Sequence, residues 1–268
     1  MKKWMTSAIL YLVVVIAVYN LYGLITSSDQ EGSDPAAEHS SHGEETAQHD
    51  HGDHHTESDV KAEVRASDNN INIYLTDQSG HPVEELEVNH EEVLHLIIVD
   101  EQLEQYYHLH PNQIDVGVFQ ASHELSAGTY IAFVDVLPAE QSYEVAPLHF
   151  TIGGEEKAHE HGNLTPDQEF IKVINGQSSI LEMSSMNAGE PITLNFKLPN
   201  AVIEPYLGAM GHVVILDENG HNYLHVHPKN HEDLIFETFF DQPGIYKIWA
   251  EFQIAGEVLV FPYVVEIK

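Results

Sequence analysis

One spacing occurs twice in this chain and limits what it can fold into. His95 is followed thirteen residues later by His108, then by His110-Pro111, within LHLIIVDEQLEQYYHLHP. His212 is followed thirteen residues later by His225, then by His227-Pro228, within GHVVILDENGHNYLHVHP. Each copy continues into a Gly-x-Tyr step, Gly128 to Tyr130 and Gly244 to Tyr246. Five residues beyond each Tyr stands a carboxylate, Asp135 or Glu251. A match this long is the repeat of a whole domain rather than of a short solenoid unit.

The repeated units read as β-sheet. Short runs such as INIYL, TYIAFVDV, ITLNFKL and IYKIWAEF alternate apolar with polar residues and are rich in β-branched and aromatic side chains. Turn clusters (DQSG, DENG, DQPG) separate them. No stretch keeps a helical period. The polar segment GGEEKAHEHGNLTP interrupts the pattern. Two all-β units are expected, residues 60–153 and 168–268, joined by a linker over residues 154–167. A turn acid followed by Gly-x-Tyr is similar to the tyrosine corner of immunoglobulin-like sandwiches. The fold expected is therefore two tandem immunoglobulin-like or cupredoxin-like β-sandwiches.

What precedes them differs. From Trp4 to Ser28 no residue is charged, and Lys2 and Lys3 stand just before. Twenty-five such residues suffice to cross about 30 Å of hydrocarbon as a helix. Residues 1–28 are read as a single-pass transmembrane signal-anchor with its N-terminus in the cytoplasm and the bulk of the chain extracellular. A cleaved signal, which would leave a secreted protein, is the rival, but no good cleavage site is evident. Residues 29–59 carry ten acids and six histidines (His39, His42, His49, His51, His54, His55) with no Lys, Arg or large aliphatic residue. A segment so composed buries too little to offset its ordering entropy. It is expected to be a disordered linker that holds metal loosely or serves as a solvated spacer.

Spacing explains why the histidines should meet. A hairpin turn centred on Asn219-Gly220 sets His212 opposite His227 and Val214 opposite His225. Residues i and i+2 share one face of a strand. The three imidazoles of each unit then point to one side, within reach of a common ion. Candidate ligands are His95, His108 and His110 in the first unit and His212, His225 and His227 in the second. Asp135 and Glu251 are candidates for a fourth ligand or for an acceptor that fixes an imidazole tautomer. If Tyr130 and Tyr246 face the core, parity places both acids on the opposite strand face. His81, His90, His123, His149, His159, His161, His221 and His231 have no partner in the repeat and read as solvated or hydrogen-bonded. Met183 and Met186 form M-x-x-M, a soft pair that elsewhere is more often core.

Composition narrows the chemistry. The chain has no Cys, so disulfides, thiolate sites, iron–sulfur clusters and cysteine nucleophiles are excluded. Imidazole and carboxylate without thiolate suit Cu(II), Zn(II) or Ni(II), with Cu(II) or Zn(II) the expected cofactor. A formal charge of −33 argues against nucleic acid as a partner. No nucleophile elbow, Gly-rich phosphate loop or H-E-x-x-H occurs, so catalysis has little support.

The pattern G-H-x12-H-x-H-P with G-x-Y and an acid-bearing strand resembles bacterial exported proteins with one or two small β-sandwich domains, akin to the YtkA-like and CopC-like copper-associated groups. The resemblance covers much of residues 83–135 and 202–251 and implies small β-sandwiches in a heavy-metal context. CopC-type proteins typically bind Cu(II) through an N-terminal His, an Asp and further His; this chain has an expected anchor in place of such a His. The expected function is a membrane-anchored extracellular metal-binding protein for copper or zinc sequestration, resistance or delivery. Its partners would be the metal ion, the membrane and a recipient metal transporter. The alternative is a non-metal extracellular interaction module whose His-x-His-Pro hairpins are structural.

Overall fold

The structure is a computed structural model that describes residues 58–268, apart from residues 68, 90, 91, 155–163, 207, 227 and 229–232. The expected anchor and nearly all of the His-rich linker therefore lie outside the described residues. So do His90, His159, His161, His227 and His231. Among the described residues no helix is long and apolar enough to cross a membrane.

The described chain is all-β and forms two tandem pairs of antiparallel sheets. The first repeat holds β1 (Val60–Ala66), β2 (Asn70–Asp77), β3 (Leu86–Glu87), β4 (Leu94–Asp100), β5 (Tyr106–Leu109), β6 (Asn112–Asp115), β7 (Val118–Ser122), β8 (Gly128–Pro138) and β9 (Leu148–Ile152). The second holds β10 (Ile171–Ile174), β11 (Gln177–Met183), β12 (Pro191–Lys197), β13 (Ile203–Glu204), β14 (His212–Asp217), β15 (Tyr223–Val226), β16 (Ile235–Phe239), β17 (Gly244–Ile254) and β18 (Glu257–Ile267). One sheet of the first repeat runs β1-β2-β7-β6; the other runs β3-β8-β4-β5 with β9 on β8. The second repeat has β10-β11-β12-β16 and β13-β17-β14-β15 with β18 on β17. Their four-stranded sheets differ at opposite edges: the first repeat adds β6 beside β7, and the second adds β10 beside β11.

Burial follows which faces are covered. In β2 and β12 every second residue is buried (Ile71, Ile73, Leu75; Ile192, Leu194, Phe196), because one face meets the sandwich core and the other meets water. In β4 all seven residues are buried, and β8, β14 and β17 are buried over most of their length. Such strands need cover on both faces. One face lines the core of its own sandwich, Leu96, Ile98, Tyr130, Ala132 and Val134 in the first repeat. The other meets the opposite repeat in a mixed cluster of Ile97, Val99, Leu103, Ile131, Phe133, Val214, Leu216 and Trp249. The two sandwiches therefore pack through their five-stranded sheets. Each Gly-x-Tyr phenol donates a hydrogen bond four residues back, Tyr130 to the Ser126 carbonyl at 3.0 Å and Tyr246 to the Gln242 carbonyl at 2.8 Å. Met183 and Met186 pack against the core of the second sandwich.

Candidate metal centre

The hairpins carry the histidines. Val214 pairs with His225 across β14 and β15, and Ile97 pairs with His108 across β4 and β5. Both hairpins turn in the same way. Asp217 accepts the His221 and Asn222 amides, and Asp100 accepts those of Glu104 and Gln105. The left-handed position is Gly220 (φ +66°) in one turn and Leu103 (φ +56°) in the other. The first repeat thus reaches the same register without Asn-Gly. Its Leu103 bears the cost of positive φ while burying its side chain between the repeats.

Strand pairing then sets each acid beside the first histidine of its own repeat, His95 opposite Asp135 and His212 opposite Glu251. Tyr130 and Tyr246 face the sandwich cores, and the acids face away from them toward the other repeat. The partners of the acids are exchanged. His108 Nδ1 lies 2.6 Å from Glu251 Oε2, and His225 Nδ1 lies 2.9 Å from Asp135 Oδ2. Each pair joins a histidine of one repeat to a carboxylate of the other, and all four side chains are nearly sealed from solvent (2% and 5%, 3% and 11% exposed).

The imidazoles gather around these pairs. The His95 ring centre stands 5.4 Å from that of His108, 5.2 Å from His110 and 5.0 Å from His225. His108 stands 5.7 Å from His212. Among the described residues two sets of donor atoms fall within 4.8 Å of one another: His95, His108 and His110, and His95, Asp135 and His225. Three nitrogens held evenly at about 2.1 Å by one ion are at most about 3.6 Å apart. An ion would thus need to draw either set inward by less than about 1 Å. The second set contains residues of both repeats. His212 turns its Nε2 to the Tyr206 carbonyl at 3.0 Å.

Protonation favours coordination. Burial first, and then the neighbouring imidazoles of His225, His108 and His110, push His95 down to about 2, against the opposing pull of Asp135. Burial and then His108 and His212 lower His110 to about 4. Both rings are neutral at ordinary pH, the form that binds metal. A carboxylate accepts, so His108 carries a proton on Nδ1 and turns Nε2 the other way. The Nε2 atoms of His108 and His110 are buried without a hydrogen-bond partner among the described residues. Two buried orphan nitrogens of neighbouring rings are what an ion would satisfy.

Two residues absent from the sequence-based set join the cluster. Tyr223 stacks on Phe133 (4.9 Å, 12°) and donates to Asp135 Oδ2 at 3.3 Å. Tyr106 stacks on Trp249 (5.0 Å, 17°). Burial and then the charge of Glu251 raise the Tyr106 phenol well above its ordinary value, and burial and Asp135 do the same to Tyr223. Both tyrosines stand two residues before the H-x-H-P step, so the repeated string is Y-x-H-x-H-P. Asn89, which donates to Asp135 Oδ1 at 3.0 Å, has Tyr206 at the matching place and left no repeated signal. Outside the cluster, His81 contacts Asp77 at the surface and His123 contacts the Ser67 carbonyl.

The protein comparisons name a family but no activity. No curated protein matches the chain. Solved structures similar to it include a two fibronectin type-III domain segment from chicken tenascin, 9% identical over 77% of this chain and 97% of that one, TM-score 0.24. They also include the chicken interferon gamma receptor alpha chain, 10% identical over 77% and 96%, TM-score 0.23. The Escherichia coli adhesin FdeC is 13% identical over 79% and 64%, TM-score 0.23. Likeness at those scores carries no argument about this chain. Nothing among the matches links it to the YtkA-like or CopC-like groups. One family profile covers residues 48–154 and again residues 172–268, once for each repeat, and the chain therefore belongs to the family described as Domain of unknown function (DUF8832).

Proposed function

We propose that this is a membrane-anchored extracellular protein that holds a divalent transition metal, Cu(II) or Zn(II), in one composite site between its two repeats. The observation that carries the reading is the pair of buried nitrogens, His108 Nε2 and His110 Nε2, without partners among the described residues beside His95 while a carboxylate of the other repeat occupies His108 Nδ1. A carboxylate behind a ligating imidazole is the usual support of a metal-bound histidine. His95, His108, His110 and His225 are the proposed nitrogen donors. The His-rich linker would capture ions and pass them to this cluster, for sequestration, resistance or delivery to a transporter. We read each sandwich as immunoglobulin-like, on the strength of the two tyrosine corners.

The test is a titration of the full-length chain in which the six linker histidines are replaced by Ser. Zn(II) and Cu(II) compete with a chromophoric chelator, and His110→Ala is the comparison. Uptake by the parent that falls at least tenfold in His110→Ala supports the site; no uptake by the parent refutes it. A second reading, a metal-free interaction module, draws on the same exchanged pairs, since they link the repeats without an ion. It predicts that His110→Ala changes stability alone.

A further inference from the structure

Resting on that metal reading, we infer that Asp135 and Glu251 stay outside the coordination sphere and, with Tyr223 behind Asp135, act as positioning residues that aim His225 and His108 at the ion. Asp135 competes for a ligand role, since one of its oxygens lies within reach of His95 and His225. Both of its oxygens already accept hydrogen bonds. Oδ2 accepts from His225 Nδ1 at 2.9 Å and from the Tyr223 phenol at 3.3 Å, and Oδ1 accepts from Asn89 Nδ2 at 3.0 Å. A carboxylate offers about four acceptor sites, so three are taken here. Entry into the coordination sphere through Oδ2 would give up two of these bonds in a dry site, where each lost partner is costly.

Glu251 accepts from His108 Nδ1 at 2.6 Å, and the Tyr106 phenol lies near its charge without a hydrogen-bond partner among the described residues. The ring geometry supports the same assignment. The carboxylate grips one nitrogen, and the other nitrogen leaves from the far side of the imidazole. An Nδ1–H bonded to an anion makes Nε2 a better donor. Stacking on Phe133 and Trp249 fixes the tyrosines, and each aromatic platform comes from the repeat that also supplies the carboxylate. Each repeat therefore sends a His to an acid of the other repeat, and Tyr223 adds its hydroxyl to Asp135. The ion would meet nitrogen donors only, with one anionic charge behind His108 and another behind His225.

Zinc-loaded full-length chain with the linker histidines replaced by Ser is examined by X-ray absorption at the zinc edge, alongside competition titration. Asp135→Asn and Glu251→Gln should weaken Zn(II) binding by about 10–100-fold with the number and type of donor atoms unchanged. Tyr223→Phe, which removes one hydroxyl and little volume, should weaken it by about three- to tenfold with the same spectrum. Loss of an oxygen donor in Asp135→Asn or Glu251→Gln would make the acid a ligand and overturn the assignment. Unchanged affinity in all three variants would overturn it too. If either acid variant fails to fold, Tyr223→Phe decides. A parent chain that takes up no zinc sinks the metal reading itself, a failure seen before any variant is made.

Discussion

Removing Glu251 should reveal how strongly the two repeats are tied together without any metal. Its carboxylate and the His108 imidazole meet at 2.6 Å and are 5% and 2% exposed, so neither is hydrated. Glu251→Ala leaves the His108 Nδ1–H buried without an acceptor. Taking one partner from a buried pair costs about 3–5 kcal/mol. Removing both in His108→Ala/Glu251→Ala leaves a cavity but no orphan, so the two single losses should not add. The coupling energy from the cycle should be about 1.5–3 kcal/mol, read from urea denaturation of the metal-free protein. The exposed pair His81 and Asp77, 3.3 Å apart, is the control and should show no measurable coupling. Equal and negligible coupling for both pairs would refute the claim that the exchanged contacts are buried and specific.

Other consequences can be checked separately. The neutral His95 ring has its folded value pushed far below that of the unfolded chain, so the stability it supports is present above about pH 6.5 and is lost as pH falls. As pH falls from 6.5 the slope through this group rises toward a limit of about 1.4 kcal/mol per pH unit near pH 5, with His110 acting in the same direction, and His95→Gln should flatten it. A Cβ at Gly211 would meet the Glu251 carbonyl oxygen at 2.8 Å and the Phe252 ring at 2.5 Å, so Gly211→Ala should cost about 1–3 kcal/mol in thermal or chemical denaturation. Met183→Leu with Met186→Leu should leave metal uptake unchanged, since both side chains pack against the second sandwich core; reduced Cu uptake would count against that placement.

The sequence carried more of this architecture than the reading by separate units used. Period-two burial in β2 and β12 made those strands legible, and the thirteen-then-two spacing placed His108 and His225 at matching hairpin positions. The unbroken apolar runs LHLIIV and GHVVIL were equally legible. A strand buried on both faces needs a second cover, and here it is the other repeat. The exchange of carboxylates could not be read from a repeat, because identical motifs look the same whether their partners lie within one unit or across two. Tyr106 and Tyr223 were visible in Y-x-H-x-H-P but blended with the aromatic character of any strand. Asn89 belongs to one repeat alone, and Leu103 at a left-handed position offers none of the signal that Gly220 does.

The central claim is that one metal site is assembled from both repeats. The most direct measurement is metal content per chain for the full-length protein with the linker histidines replaced by Ser, loaded with Zn(II) and desalted, beside His108→Ala and His225→Ala. The account predicts that each substitution, one in each repeat, depletes the same bound zinc. Two ions in the parent, with one lost in each variant and the other retained, would show that each repeat binds its own ion and contradict it.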